Sequence, residues 1–292
     1  ANWASSSATY TGNLTNVDAL SISSGTMTVT DNILGSLATS GAGSIVVQVD
    51  TSSSQDFANL TLSGSETIQF TGNSTFTGNF QNSSVSVNNG VTLTTDATNL
   101  NGKTATGTGT IQLTNLDATP AANLSGLAAG LTVNGIIANT VTYTGSLTSL
   151  DSLTVNSGAT LSTDAANITG VTTTNNGTVS VTNLNAVPSM DLTKITGGTT
   201  NANWSGDATF TGNLGSSNLT VSSGTMTIDD AATINSASSI VVNGTIVANA
   251  SKVTGDTISG SGTLTVNNLD ATLNADFTNL TTSTLNADFS GI

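Results

Sequence analysis

An all-β fold, a parallel β-solenoid, is what this sequence predicts, and three observations predict it. Val, Leu and Ile recur at alternate positions between Thr and Ser, the period of a strand with one face buried. Three markers recur along the chain, two of them with a period of about 67 residues, the signature of stacked structural units. Hydrophobic residues make up 36% of the 292 residues and charged residues 7%, too few for a thick globular core and too little charge for a disordered chain.

The repeat is carried first by an aromatic-Thr-Gly triplet. It stands at Tyr10-Thr11-Gly12, Phe76-Thr77-Gly78, Tyr143-Thr144-Gly145 and Phe210-Thr211-Gly212, with spacings of 66, 67 and 67. Turn glycines follow at Gly25, Gly90, Gly158 and Gly224, spaced 65, 68 and 66. Each is preceded by an alternating segment, such as Leu20-Ser21-Ile22 or Val85-Ser86-Val87, and followed by another, such as Met27-Thr28-Val29. An acidic residue closes the second segment at Asp31, Asp96, Asp164 and Asp230, where Asp is expected to form a corner.

The third marker is a pentad of Ala, then Asn or Asp, then a large apolar residue. It occurs at Ala122-Asn123-Leu124-Ser125-Gly126, Ala166-Asn167-Ile168-Thr169-Gly170, Ala202-Asn203-Trp204-Ser205-Gly206 and Ala287-Asp288-Phe289-Ser290-Gly291, with a variant at Ala1-Asn2-Trp3. Each pentad resembles an isolated unit of the pentapeptide-repeat solenoids, which implies a coil with one inward apolar residue.

A unit of this length divides into three rungs, giving about 13 rungs of about 22 residues over a single continuous solenoid, 1–292. The internal repeats run approximately 10–75, 76–142, 143–209 and 210–292, the last about one rung longer. Inward apolar residues stack on their equivalents one rung away, outward Thr and Ser cover the surface, and Asn, Asp and Gly turn the corners. The rival fold is an antiparallel sandwich or a string of small ones. It is disfavoured because units of this size would need more aromatic residues per core and sharper hairpins.

Composition excludes most chemistry. With no His, no Cys and no Arg, the chain lacks His-assisted nucleophiles, Cys-His zinc sites, thiol redox pairs and bidentate phosphate clamps. Net charge is −14, and Lys103, Lys194 and Lys252 are the only cationic side chains, so a nucleic-acid partner is not expected. No run of 18 apolar residues is present, so no membrane span is expected either.

Carboxylates are the only acids and bases on offer, and Glu66 is the sole glutamate. A glycosidase-like pair would have to come from Asp229 with Asp230, or from Asp31 and Asp96 stacked across rungs. Their corner positions point instead to turn formation, so no catalytic residue is assigned. Oxygen ligands for calcium abound, but the Gly-Gly-x-Gly-x-Asp nonapeptide and the EF-hand loop are both absent, so no metal or cofactor site is assigned. Asn-x-Ser/Thr triplets, for example at Asn13, Asn59, Asn73, Asn167 and Asn279, follow from composition alone.

Two surface features bear on binding. Thr-x-Thr pairs at Thr26/Thr28, Thr92/Thr94, Thr225/Thr227 and Thr263/Thr265 are similar to the threonine ranks of ice-binding solenoids, although β-propensity accounts for them at this spacing. The aromatic series Tyr10, Phe76, Tyr143 and Phe210 would form a sugar-stacking stripe if outward; separation by three rungs favours inward packing.

The end segments share one phase, since Ala287-Asp288-Phe289 repeats the pattern of Ala1-Asn2-Trp3. No capping helix is visible in either, which points to a slice of a longer array or to head-to-tail stacking of end rungs through Trp3, Phe289 and Ile292. Taken with the composition, the repeats resemble the passenger stalks of large bacterial surface adhesins and autotransporters. That resemblance implies an extracellular, cell-surface structural module, with self-association or surface glycans as partners. The alternatives are a glycan- or ice-binding surface and, behind it, a β-helix polysaccharide-degrading enzyme.

Overall fold

The computed structural model describes residues 1–4, 6–234, 237 and 239–289. The chain divides into two compact units, residues 1–136 with 149–151 and residues 137–148 with 152–292. The fold is the expected one: an all-β parallel β-solenoid, of about 15 turns. Among the described strands every pairing is parallel, which excludes the antiparallel sandwich.

The first unit contains three ladders. One joins Asn2–Trp3, Ala19–Ile22, Ala38–Gly41 and Leu60–Leu62. A second joins Ala8–Thr9, Thr26–Thr30, Ser44–Val49, Glu66–Phe70, Ser84–Val87 and Ala105–Gly107. The third includes Ser74–Phe76, Thr92–Asp96, Thr110–Thr114 and Thr132–Ile137. Strand alternation sets the core directly. Val29, Val47, Ile68, Val85 and Ala105 are register partners in successive turns, and all are fully buried. Burying each of the larger members stabilises the fold by about 1.5–3 kcal/mol. On the outer face of the same ladder, Gln48 donates to Gln69 (3.0 Å) and Gln69 donates to Asn88 (3.2 Å), an amide file running along the stacking direction.

The second unit repeats this scheme. Ser152–Val155, Thr172–Asn175 and Ile195–Thr196 form one ladder. Val141–Tyr143, Thr160–Asp164, Thr178–Thr182, Thr199–Trp204, Asn218–Val221 and Ser239–Val242 form the next, continued by the start of Ile258–Asn267. Ala208–Phe210, Thr225–Ile228, Thr245–Asn249 and the end of Ile258–Asn267 form a third. Leu280–Ala287 lies along Ile258–Asn267 and completes both of the latter two. Inward Ala202, Leu219, Ile240 and Ile258 are stacked register partners, each at most 2% exposed.

The turn is shorter than the rung expected from dividing the repeat by three. Along the file Val29, Val47, Ile68, Val85 and Ala105 the steps in residue number are 18, 21, 17 and 20. Along Ala202, Leu219, Ile240 and Ile258 they are 17, 21 and 18. The reason lies at the corners. Each of the first two repeats has three of one kind, marked by buried Leu14, Leu34, Phe57, then Phe80, Leu100 and Leu124. At each, the backbone N–H three residues on donates to the carbonyl of the marker residue, as from Val17 to Leu14 (3.0 Å) and Ser83 to Phe80 (2.9 Å).

After Leu14, Leu34 and Phe57 the chain enters the first ladder, but after Phe80 it enters the second. The second unit does the same: Ile168 and Leu192 lead into one ladder and Leu214 into the next. One repeat therefore uses three such corners yet advances by one side beyond three turns.

That extra side relocates every repeated residue. Leu20-Ser21-Ile22 and Val85-Ser86-Val87 lie in different ladders of the first unit, and Leu153-Thr154-Val155 and Leu219-Thr220-Val221 in different ladders of the second. The triplet glycine has a steric origin. A Cβ on Gly78 or Gly212 would run into the carbonyl oxygen of Gln55 or Met190 in the preceding turn. The pentad proves to be two things: Leu124 and Ile168 sit at corners, whereas Trp3 and Trp204 end strands. Both positions point one large side chain inward, which is why they look alike in sequence.

Phe80 stacks on Phe76 with ring centroids 4.2 Å apart, and Phe76 stacks on Phe57 at 5.9 Å. Truncating Phe80 to Ala should cost about 3–5 kcal/mol in chemical denaturation, while exposed Thr75→Ala should change stability by under about 0.5 kcal/mol.

Candidate functional site

The most elaborate polar arrangement is a corner that appears once in each unit. Asp96 and Asp164 cap the helical turns Ala97–Leu100 and Ala165–Ile168, accepting from the backbone N–H of Thr98 (2.9 Å) and Ala166 (3.0 Å). The second carboxylate oxygen of each accepts from a side-chain amide one turn on, Asn115 (2.8 Å) or Asn183 (2.6 Å). Both asparagines are left-handed, with φ of 53° and 51°, and each opens a short 3₁₀ turn, Leu116–Ala118 or Leu184–Ala186. Asn has the short polar side chain that tolerates this region, and here its amide reaches back to the aspartate.

Shallow grooves of about 470 and 580 Å³ lie against these corners. Their linings correspond position by position, from Thr75-Phe76-Thr77 and Asp96 in one to Thr142-Tyr143-Thr144 and Asp164 in the other. Some of their polar groups are occupied with one another: Thr95 donates to the Phe76 carbonyl (3.0 Å), Thr163 to the Tyr143 carbonyl (3.0 Å), and Asn99 to Thr95 (3.1 Å). The lining of each groove contains one carboxylate, and the nearby charge of Asp117 also acts on Asp96. Burial pushes the Asp96 carboxyl up, but hydrogen bonds from Asn115 and Thr98 outweigh it and hold the group below its ordinary value.

The other aspartates weighed as acids or bases are also corner residues. Asp229 accepts from the N–H of Ala231 (2.8 Å) and Asp230 from the Asn249 amide (2.6 Å); Lys252 donates to the backbone carbonyls of Asp230 and Ala232. Asp31 and Asp96 are not stacked, because Thr26–Thr30 and Thr92–Asp96 belong to different ladders. Glu66 accepts from the N–H of Leu62 (2.7 Å). Among the described residues no group of three or more acidic, His or Cys side chains is placed to hold a metal ion.

The aromatic series faces inward. Phe76, Tyr143 and Phe210 are at most 1% exposed and Tyr10 is half-buried, so this series forms no sugar-stacking stripe. Phe210 meets Trp204 edge-on at 6.1 Å and Tyr10 meets Trp3 edge-on at 6.4 Å, the same contact in both units. Tyr143 carries a buried hydroxyl with no partner, and burial pushes its pKa up to about 12.

The threonine pairs are arranged more closely than their sequence spacing indicated. Thr225, Thr245, Thr263 and Thr284 are register partners in four successive turns, flanked by Thr227, Val247, Thr265 and Asn286. Thr26 and Thr92 lie in other ladders.

Trp3 is half-buried with an unpartnered indole N–H; Phe289 is 72% exposed; Ile292 lies outside the described residues. Leu273 and Leu285 are 88% and 46% exposed, although Leu264, the register partner of Leu285, is fully buried. Thr77–Phe80 is hydrogen-bonded to the preceding turn, Asn79 donating to Gln55 (3.3 Å) and accepting from Phe57 (3.0 Å). In the second unit Asn213 does the same with Met190 and Leu192. The equivalent segment Thr11-Gly12-Asn13-Leu14 makes no such bonds among the described residues and borders a groove of about 790 Å³.

No family model, no curated protein and no solved structure matches this chain.

The aspartate corner can be tested from both partners. Asn115→Gly keeps the left-handed backbone and loses only the amide bond, so it should cost about 1 kcal/mol in denaturant melts; Asn115→Ala adds strain and should cost about 1–3 kcal/mol more. Because the folded pKa of Asp96 is depressed, its contribution is present above the ordinary carboxylate range and lost as pH falls through the depressed value. Asp96→Asn should therefore lower stability at neutral pH and flatten the acid limb of a pH-stability curve.

Proposed function

We propose that this chain is an extracellular structural module of a cell-surface filament, fibre or adhesin stalk, assembling by stacking of end coils, with no enzymatic role. The observation that carries the reading is the parallel stacking of like residues from turn to turn, together with two features that a neighbouring coil would fit. One is the Thr11–Leu14 segment with its groove, and the other is the group of exposed apolar residues Leu273, Leu285 and Phe289. Ala275-Asp276-Phe277 matches Gln55-Asp56-Phe57 and Met190-Asp191-Leu192, the segments that the equivalents of Thr11–Leu14 pair with inside the chain. A second copy stacked there would supply backbone partners to the first and an apolar cover to the second. Corner aspartates serving as turn partners fit a load-bearing role rather than turnover. The parallel solenoid likewise fits the resemblance to adhesin and autotransporter stalks.

A second reading, a glycan- or ice-binding surface, draws on the rank Thr225, Thr245, Thr263 and Thr284. Thr245→Lys in that rank should abolish such binding and leave assembly intact.

Purified chain should form fibres with increasing concentration under electron microscopy. Phe289→Asp should raise the concentration needed by at least about tenfold, a loss of about 1.4 kcal/mol per contact. Wild-type chain that remains monomeric at high concentration would overturn the stacking mechanism.

A further inference from the structure

The chain contains five Asn-Gly dipeptides, at Asn89, Asn101, Asn134, Asn176 and Asn243. This is the dipeptide in which a backbone nitrogen most easily reaches the neighbouring side-chain amide, because glycine has no side chain to obstruct the approach. The fold treats the five very differently. Gly102 donates to Asn123 (2.8 Å), and the Asn101 side chain accepts from the N–H of Asn123 (2.8 Å). Asn134-Gly135 lies inside the strand Thr132–Ile137, paired with Gln112 and Leu113. Gly177 donates to the Asn175 side chain (3.0 Å). Gly244 donates to Val221 (3.0 Å), and the Asn243 side chain accepts from Ser261. Each of these bonds holds the glycine nitrogen or the asparagine amide away from the other.

Asn89-Gly90 has none of these restraints. Both residues are exposed, neither the Asn89 side chain nor the Gly90 N–H has a hydrogen-bond partner, and the space beside Gly90 is empty. They occupy the centre of a turn closed by Val91 donating to Asn88 (3.1 Å), with Gly90 at φ 74°. The equivalent turns carry Ser24-Gly25, Ser157-Gly158 and Ser223-Gly224, so the fold does not need asparagine there.

We infer that Asn89 is a site of selective spontaneous deamidation, a covalent modification that this chain undergoes with water as the only co-reactant. The Gly90 nitrogen, after losing its proton to solvent base, attacks Cγ of Asn89. The Cγ–Nδ2 bond breaks, ammonia leaves, and a five-membered succinimide remains. Water then opens the ring at either carbonyl. One opening leaves an ordinary aspartate in place of Asn89; the other leaves isoaspartate, in which the main chain runs through Cβ and Cγ. Either product adds one negative charge to a chain already at −14, and the second lengthens the turn between Ser84–Val87 and Thr92–Asp96. The amide file Gln48–Gln69–Asn88 ends one residue before the altered bond. The modification is independent of the proposed structural role.

The experiment is a time course of the intact, folded chain in mildly alkaline buffer. Peptide mass spectrometry reads amide loss at all five sites, and an isoaspartate-specific methyltransferase counts the rearranged product. Asn89 should react at least about tenfold faster than each of the other four. In urea the five rates should converge, because the protecting hydrogen bonds are gone. Asn89→Ser, which installs the residue found in the sister turns, should remove the fast phase without changing the circular dichroism spectrum. Equal rates at the five sites in the folded chain, an unreacted Asn89, or a fast phase that survives Asn89→Ser would each overturn the assignment.

Discussion

Backbone hydrogen bonding between successive turns is the constraint from which the rest of this structure follows. In a parallel coil each strand residue directs both its N–H and its C=O along the stacking direction, and neighbouring residues alternate in sense. A strand therefore needs a partner of matching register on both sides, and a side chain inward in one turn must stand over an inward side chain in the next. Val29, Val47, Ile68, Val85 and Ala105 obey this rule without interruption. A narrow core built by such files needs little apolar residue per turn, which explains how a chain with 4% aromatic residues closes one at all.

The same constraint governs the corners. A corner must reverse direction within a few residues while keeping the next strand in register, so its own polar groups have to be satisfied locally. Asp96 and Asp164 do this twice over, closing a helical turn with one oxygen and tying down the following turn with the other. The left-handed Asn115 and Asn183 are the counterpart of those carboxylates. Asp96, Asp229 and Asp230, which look like candidate acids and bases in sequence, thus serve the geometry of turning.

Alternation and repetition made the parallel solenoid legible, because both are direct consequences of stacking. The inward orientation of Phe76 and Phe210 was legible for the same reason. Turn length was not. A repeat of about 67 residues divides naturally by three, and three corners of one kind per repeat do exist. Yet the register steps, between 17 and 21, show that the chain runs past one additional side. Nothing in the local pattern distinguishes a corner that returns to the same ladder from one that moves on. The left-handed asparagines did leave a signal, the recurring Asn-Leu-x-Ala of Asn115–Ala118, Asn183–Ala186 and Asn268–Ala271, which lies between the more conspicuous markers. The rank through Thr245 was hidden because its flanking position is Val247 rather than threonine.

The additional side traversed from one repeat to the next within a unit has an evolutionary consequence. Duplicating one whole unit of such a chain does not extend an existing stripe of surface residues; it begins a copy of that stripe on the adjacent side. A decoration encoded once, whether a groove beside an aspartate or an exposed turn, is thereby offered in a new direction with every added repeat. Within a unit, losing a repeat would turn the stripes that follow it to the adjacent side.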